Sequence, residues 1–180
     1  MPEPGPSQPA SARWRMMKPG DLPAVFEISR VVHPNFPEGL AVFQERLSLF
    51  GAGCLLLHRP DQAPLGYCVS HPWICGNAPA LDTPLGRMPG DADVLFIHDV
   101  ALLPPARGGN HGGQVLRIIG DLCRFTGLSR IELVSVGGSA SFWIRHGFAP
   151  TEDPALQAKV RATYADQAVH MYRAVEPFFD

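Results

Sequence analysis

Apolar positions recur along this chain in two rhythms, and glycine and proline separate one from the other. Residues 13–17 read as a first strand. Lys18-Pro-Gly-Asp21 then breaks it, with Asp21 placed as a helix N-cap and Pro23 in the first turn. Val25, Phe26, Ile28 and Val32 fall on one side of a helix. The segment His33-Pro-Asn-Phe-Pro-Glu-Gly39 stops it, since two prolines and a glycine cannot continue a helix. Leu40, Phe43, Leu47 and Phe50 repeat the helical spacing until Gly51 and Gly53 end it. Two strand-length runs, 54–58 and 65–70, flank the turn 59–64 and predict a hairpin. Residues 74–91 form a long irregular loop, and such loops in compact domains are usually functional or mobile.

The second half is more regular. An apolar strand over 94–103 is interrupted by two polar residues, His98 and Asp99. A helix over 112–125 follows, with Val115, Ile118, Ile119 and Leu122 turned inward. Then come a buried-type strand over 131–136 and a short helix over 139–146 closed by Gly147. A Pro- and Ala-rich stretch leads to a last strand over 168–175. The order β-α-α-β-β-β-α-β-α-β contains no repeat. It predicts one α/β (α+β) domain over 13–180, with helices on the faces of a sheet. Residues 1–12, rich in Pro and Ser, read as a disordered lead-in.

Composition narrows the class of partner. Fifteen basic and seventeen acidic side chains leave a net charge of −2, which makes no electrostatic case for nucleic acid or an anionic membrane. No apolar run is long enough to span a bilayer. The four cysteines, Cys54, Cys68, Cys75 and Cys123, form no C-x-x-C pair and have no histidine at metal-ligand spacing. They read as small hydrophobes in a reducing, cytoplasmic setting, with no metal expected.

Chemistry concentrates in 94–116, where a buried strand enters a glycine-rich loop that opens a helix. Helix N-termini offer free N–H groups and a positive dipole end, and glycines let backbone approach a pyrophosphate closely. Arg107 adds a fixed positive charge. No Lys-Ser/Thr follows the glycines, so this is not a Walker loop, and the G-x-G-x-x-G spacing of a dinucleotide fold is absent.

The stretch Arg107-Gly-Gly-Asn-His-Gly-Gly-Gln-Val-Leu resembles motif A of the GNAT superfamily of N-acetyltransferases, usually written Arg/Gln-x-x-Gly-x-Gly/Ala. Phe142-Trp-Ile-Arg-His-Gly-Phe148 is similar to the family's aromatic-x-x-x-Gly-Phe signature before the sixth strand. The resemblance covers nearly the whole chain after Ala12. Pro37-Glu-Gly-Leu-Ala-Val-Phe-Gln-Glu-Arg46, Ser70-His-Pro-Trp73 and Ile97-His-Asp-Val-Ala-Leu102 look closer to the arylalkylamine acetyltransferase branch and its bacterial relatives. The first motif glycine is replaced by Asn110, a residue that tolerates left-handed backbone better than most.

The resemblance implies a GNAT fold, a central mixed, mostly antiparallel twisted sheet of roughly six or seven strands with about four helices on its faces. It implies acetyl-CoA as co-substrate, without a metal, and direct transfer of the acetyl group to a primary amine, a small aryl- or polyamine. Gly108, Gly109, Asn110, His111, Gly112 and Gly113 would hold the pyrophosphate behind Arg107. Val100, Ala101 and Leu102 would pair with the pantetheine arm, and Ser139 and Phe142 would touch the cofactor. The Val100 N–H would polarise the thioester carbonyl.

An amine must lose a proton to react, and His98, interrupting an apolar strand, is the leading base. The bland alternative is a structural histidine bonded to backbone. Asp99 points away from His98 in a regular strand, and a bulge would change that. Trp143 occupies the position where many relatives carry a proton-returning Tyr, and an indole N–H is no useful acid. N-capping of the short helix is the blander role for Ser139. Phe36, Pro37, Trp73 and Phe142 would wall the acceptor site, with Glu38 as partner for a cation and Trp143 also in contact with the substrate. The amine is the expected partner; many relatives are dimers, but no seam is legible in the sequence, so the oligomeric state stays open, with a homodimer as one alternative. The competing classes are a non-catalytic acyl-CoA-binding module and a protein or peptide N-acetyltransferase.

Overall fold

The computed structural model describes residues 11–176, so the expected lead-in lies outside the described residues except for Ser11 and Ala12. Its elements in chain order are β1 (Arg13–Met16), α1 (Leu22–Val32), α2 (Leu40–Leu49), β2 (Cys54–His58), β3 (Gly66–Trp73) and β4 (Val94–Leu102). There follow α3 (His111–Phe125), β5 (Arg130–Ser135), α4 (Ala140–Arg145), β6 (Ala149–Pro150), α5 (Pro154–Thr163) and β7 (Val169–Ala174). The strands form one seven-stranded sheet in the order β1-β2-β3-β4-β5-β7-β6. Every neighbouring pair is antiparallel except β4 with β5, which the α3 crossover makes parallel.

The near-continuous apolar runs of β2, β3 and β4 have a physical reason, since both faces of the sheet are covered. On one face, α1 and α2 lay Leu22, Val25, Ile28 and Phe43 against Leu56, Tyr67 and Val69. On the other, α3 and α4 lay Val115, Leu116, Ile119 and Trp143 against Leu95, Ile97, Ile131 and Leu133. Ile118, expected inward, is 38% exposed. The buried stripe runs through Val115, Leu116, Ile119 and Cys123, which leaves Ile118 on the flank. Among the described residues no helix is long and apolar enough to cross a membrane.

Three local expectations change. Asp21 precedes α1 but makes no side-chain cap; its carboxylate takes Arg15 at 2.7 and 2.8 Å and the Lys18 N–H at 2.7 Å. Cys75 is exposed, unlike the buried Cys54, Cys68 and Cys123. The Pro- and Ala-rich stretch contains β6 and a full helix, α5. Its start signal is Asp153-Pro154, with Pro in the first turn and the Asp153 carboxylate accepting from the N–H groups of Ala155 at 2.8 Å and Leu156 at 3.2 Å.

The long loop between β3 and β4 is tied down at both ends. At its start Glu132 of β5 accepts the Gly76 N–H at 2.9 Å and the Cys75 thiol at 3.1 Å. Burial works against that carboxylate, but His170, these donors and Arg130 hold its pKa down to about 2. Further on, Glu45 of α2 accepts the N–H groups of Leu85 and Gly86, each at 2.9 Å.

Asp153→Ala removes the cap of α5 and leaves the sheet untouched. The expected outcome is a loss of about 1 kcal/mol of unfolding free energy in urea, with the far-ultraviolet spectrum retained. An unchanged midpoint would show that α5 does not depend on its cap.

Candidate functional site

Two irregularities of β4 create the site. Its parallel pairing with β5 spans only Leu95↔Ile131, Phe96↔Glu132 and Ile97↔Leu133, whereas its pairing with β3 continues to Leu102. Beyond Ile97 the two strands part, and a cleft of about 960 Å³ opens between them. The second irregularity is a bulge: Val69 faces Asp99 and Ser70 faces Ile97, so His98 is an extra residue on β4. Leu95 and Ile97 lie in the core beneath α3, and Ala101 in the core beneath α1. Strict alternation counted from each side then turns both His98 and Asp99 toward the α1–α2 face. The bulge reverses the arrangement expected for a regular strand.

On that face each of the two meets a side chain from the segment joining α1 to α2. His98 Nε2 lies 2.7 Å from Glu38 Oε2, and the other Glu38 oxygen accepts the Asp82 N–H at 3.0 Å. His33 Nε2 lies 2.8 Å from Asp99 Oδ1 in a poorly aligned contact, closer to an ion pair than to a hydrogen bond. The Tyr67 hydroxyl donates to the second Asp99 oxygen. Burial disfavours charge on His33, but Asp99 outweighs it and the ring's pKa lies above its ordinary 6.5. Burial likewise opposes the Asp99 charge, and His33 with Tyr67 holds that carboxyl below 3.8. Burial pushes the Tyr67 phenol well up, which keeps it a neutral donor. Behind His98 the buried His71 ring, 6.2 Å away between centroids, is pushed down to about 3 by burial and stays neutral.

Phe36, Leu81 and Tyr164 wall this end of the cleft. The Tyr164 hydroxyl donates to the Pro79 carbonyl, which ties the end of α5 to the long loop. Glu38 faces the cleft, but its carboxylate is engaged by His98 and Asp82 and does not stand free for a ligand cation. Trp73 lies elsewhere, in a separate groove of about 500 Å³ beside Arg87 and Met88, with its indole N–H on the Asn77 carbonyl at 2.6 Å.

The opposite end is built by the glycine-rich loop. Asn110 takes the left-handed conformation, φ 58°, and so performs the backbone turn of the glycine it replaces. No side chain caps the first turn of the fifteen-residue α3, whose N–H groups open on the cleft. An added Cβ at Gly112 would lie 2.8 Å from Cζ of Phe142, and one at Gly113 would run into the Asn110 side chain. Gly108, Asn110, His111, Gly112 and Gly113 all line the cleft, as does the exposed Arg107, whose Nε donates to the Leu102 carbonyl at 3.1 Å. Gly109 lies outside the lining.

Between the ends, Val100 and Leu102 line the cleft on β4, whereas Ala101 faces away into the core beneath α1. Ser139, Phe142 and Trp143 line it from α4. Ser139 makes no cap; its hydroxyl donates to the Val136 carbonyl at 2.8 Å and accepts the Trp143 indole N–H at 3.2 Å. The indole N–H is therefore already committed to the protein. The structure adds His33 and Tyr164 to the lining, and sequence reasoning missed Arg145 and His146 at the loop end. Arg145-His146 stood inside the second motif. Tyr164 follows a helix that was not expected.

No protein-family model matches the chain, and no curated protein is a significant match. Solved structures do match. A GNAT-like decarboxylase, GphF, in complex with isobutyryl-CoA superposes with a TM-score of 0.74 at 18% identity, over 91% of this chain and 100% of that one. The NatC complex bound to Gag peptide and CoA gives 0.69 at 13%, over 92% and 99%. The ribosomal-protein-S18-alanine N-acetyltransferase from Escherichia coli gives 0.62 at 15%, over 92% and 95%. The fold is the GNAT fold.

The His33–Asp99 pair makes stability depend on pH. His33, raised above 6.5 in the folded protein, contributes fully below that value and loses its contribution as pH rises through the folded pKa. Asp99, depressed below 3.8, contributes above that value and loses its contribution as pH falls through the folded pKa. The unfolding free energy of the native protein should therefore exceed that of His33→Gln most between 3.8 and 6.5, with the gap narrowing at higher pH. Urea titrations across the range check this, and a pH-independent gap would show that the pair is not ionised.

Proposed function

We propose that the protein binds acetyl-CoA and transfers its acetyl group to the primary amine of a small acceptor. One observation carries the reading. A single cleft joins the uncapped N-terminus of α3 to the His98–Glu38 pair along the unpaired edge of β4. The residues fit the co-substrate: free N–H groups and Arg107 suit a pyrophosphate, and side-chain-free glycines allow its approach. The β4 backbone beyond Ile97 has no strand partner from β5 and is available to an extended arm. Acetyl-CoA supplies an activated thioester. Val100 lines the cleft beside His98, in place to offer its N–H where negative charge develops on the carbonyl oxygen. His98 accepts a proton from the acceptor ammonium, so that the nitrogen lone pair is free for the C–N bond as the C–S bond breaks. The nitrogen's second proton passes to the thiolate, and His98 returns its own to solvent.

The acceptor end supports a compact amine with an apolar or aromatic body, the arylalkylamine class that the sequence resembles. Phe36, Leu81 and Tyr164 are its walls, and among the described lining residues both carboxylates facing it, Glu38 and Asp99, are already engaged by histidines, which favours an amine with a single charge over a polyamine. The long loop is strapped to α2 and α5, and a tethered loop beside the cleft suits a compact acceptor better than an extended peptide. A binding-only module is the second reading. It is favoured by Trp143, whose N–H is held by Ser139 and cannot return a proton to a thiolate.

Calorimetric titration with acetyl-CoA, followed by a thiol-release screen over arylalkylamines, polyamines and peptide N-termini, tests the reading. Binding with thiol release on an arylalkylamine is the expected result. Release on peptides alone would replace the acceptor class, and binding without release from any amine would leave the module. Two variants divide the cleft. His98→Ala should lower turnover by about 10²-fold or more while acetyl-CoA affinity is retained. Gly112→Val forces a branched side chain against Phe142; overpacking of this kind costs roughly 1–3 kcal/mol, about tenfold in acetyl-CoA affinity.

A further inference from the structure

The Glu38 carboxylate is buried, 9% exposed, and each of its oxygens has a defined task. Oε1 accepts the Asp82 N–H at 3.0 Å, and Asp82 in turn accepts the Gly39 N–H at 2.7 Å through Oδ1. These two bonds clamp the long loop onto the segment that carries Glu38 and fix the direction of its side chain. Oε2 lies 2.7 Å from His98 Nε2. A carboxylate has no proton to give, so in the neutral ring Nε2 must carry the hydrogen and Nδ1 the lone pair. Nδ1 has no hydrogen-bond partner among the described residues, and His98 lines the cleft.

We propose that Glu38 is the positioning residue of the site: it fixes His98 as the Nε2–H tautomer, so that the Nδ1 lone pair is the one offered to the acceptor's proton. This rests on the acyl-transfer reading above. The bulge at His98 is part of the same device. Without the extra residue His98 and Asp99 would face opposite sides of the sheet and could not both meet the α1–α2 segment. When Nδ1 takes the proton, the imidazolium that forms donates from Nε2 to an anion already in place. A purely structural Glu38 would anchor Asp82 equally well and would be indifferent to the tautomer of His98.

Nitrogen-15 NMR of the histidine rings in alkaline buffer, with His98 assigned through a His98→Gln variant, reads the tautomer directly in the unliganded wild-type protein. The expected signature is a protonated Nε2 and a bare Nδ1; the opposite pattern would overturn the proposal whatever the activity. Glu38→Gln supplies the second test. Its amide oxygen can keep the Asp82 N–H, which turns the NH₂ toward Nε2 and demands a lone pair there, moving the ring hydrogen to Nδ1. The signature should switch, kcat should fall about 10²-fold, and the KM for acetyl-CoA should stay unchanged. A switched signature with wild-type kcat would overturn the positioning role and leave the acyl-transfer reading intact. A wild-type protein with the Nε2–H signature but no thiol release from any amine would remove that reading while the tautomer assignment stands.

Discussion

β4 keeps β3 as its hydrogen-bonding partner to Leu102 but keeps β5 only to Ile97. Backbone polar groups inside a protein need partners, so a strand edge released in the middle of a sheet is a demand on whatever fills the gap. The glycine-rich loop, the uncapped start of α3 and the β4 edge all open on the same cleft because β5 turns away. A ligand with an anionic head and an extended, amide-bearing arm would meet both demands at once. The sheet holds its shape across the gap because the core beneath α3 and α4 spans it, joining Leu95 and Ile97 of β4 to Ile131 and Leu133 of β5, while a second core beneath α1 and α2 backs the opposite face.

The acceptor face is held by polar pairs more than by packing. Glu38 with His98, Asp99 with His33 and Tyr67, and the fully buried Arg46 with Glu45 and the Thr83 carbonyl lie close together under the long loop. Desolvating so many charges is expensive, and such pairs add less to stability than their short distances suggest. What they impose is direction. Each ties a ring or a loop backbone to one orientation, and a cleft whose walls are a strap loop and three aromatic or apolar side chains needs that definition. The same loop is held by Glu38, Glu45 and Tyr164.

The loop end carries a compensation of its own. Asn110 stands where the family pattern has glycine and still turns left-handed, and its side chain lies over Gly113, where any Cβ would collide with it. Phe142 covers Gly112 in the same way. At Gly112 and Gly113 the absence of a side chain makes room for neighbouring side chains of the protein itself. Trp143 departs from the pattern more deeply, because its N–H is spent on Ser139.

The rhythm of apolar residues determined the sheet-and-helix order, the hairpin of β2 and β3, the α3 crossover and the loop that opens it. These are local properties, set by side-chain period and by where glycine and proline stand. The candidate residues of 97–113 were legible for the same reason, since a polar interruption of an apolar strand and a glycine cluster before a helix are visible in one dimension. α5 was hidden because its start signal, Asp153-Pro154, sat in a stretch whose prolines and alanines read as a linker. The pairing of His98 with Glu38 and of Asp99 with His33, the displacement of Trp73 to another groove and the inward turn of Ala101 were decided by tertiary structure alone. They depend on a bulge that reverses side-chain facing and on a strand that loses its partner. Both are properties of how two strands meet, and neither strand's own sequence contains them.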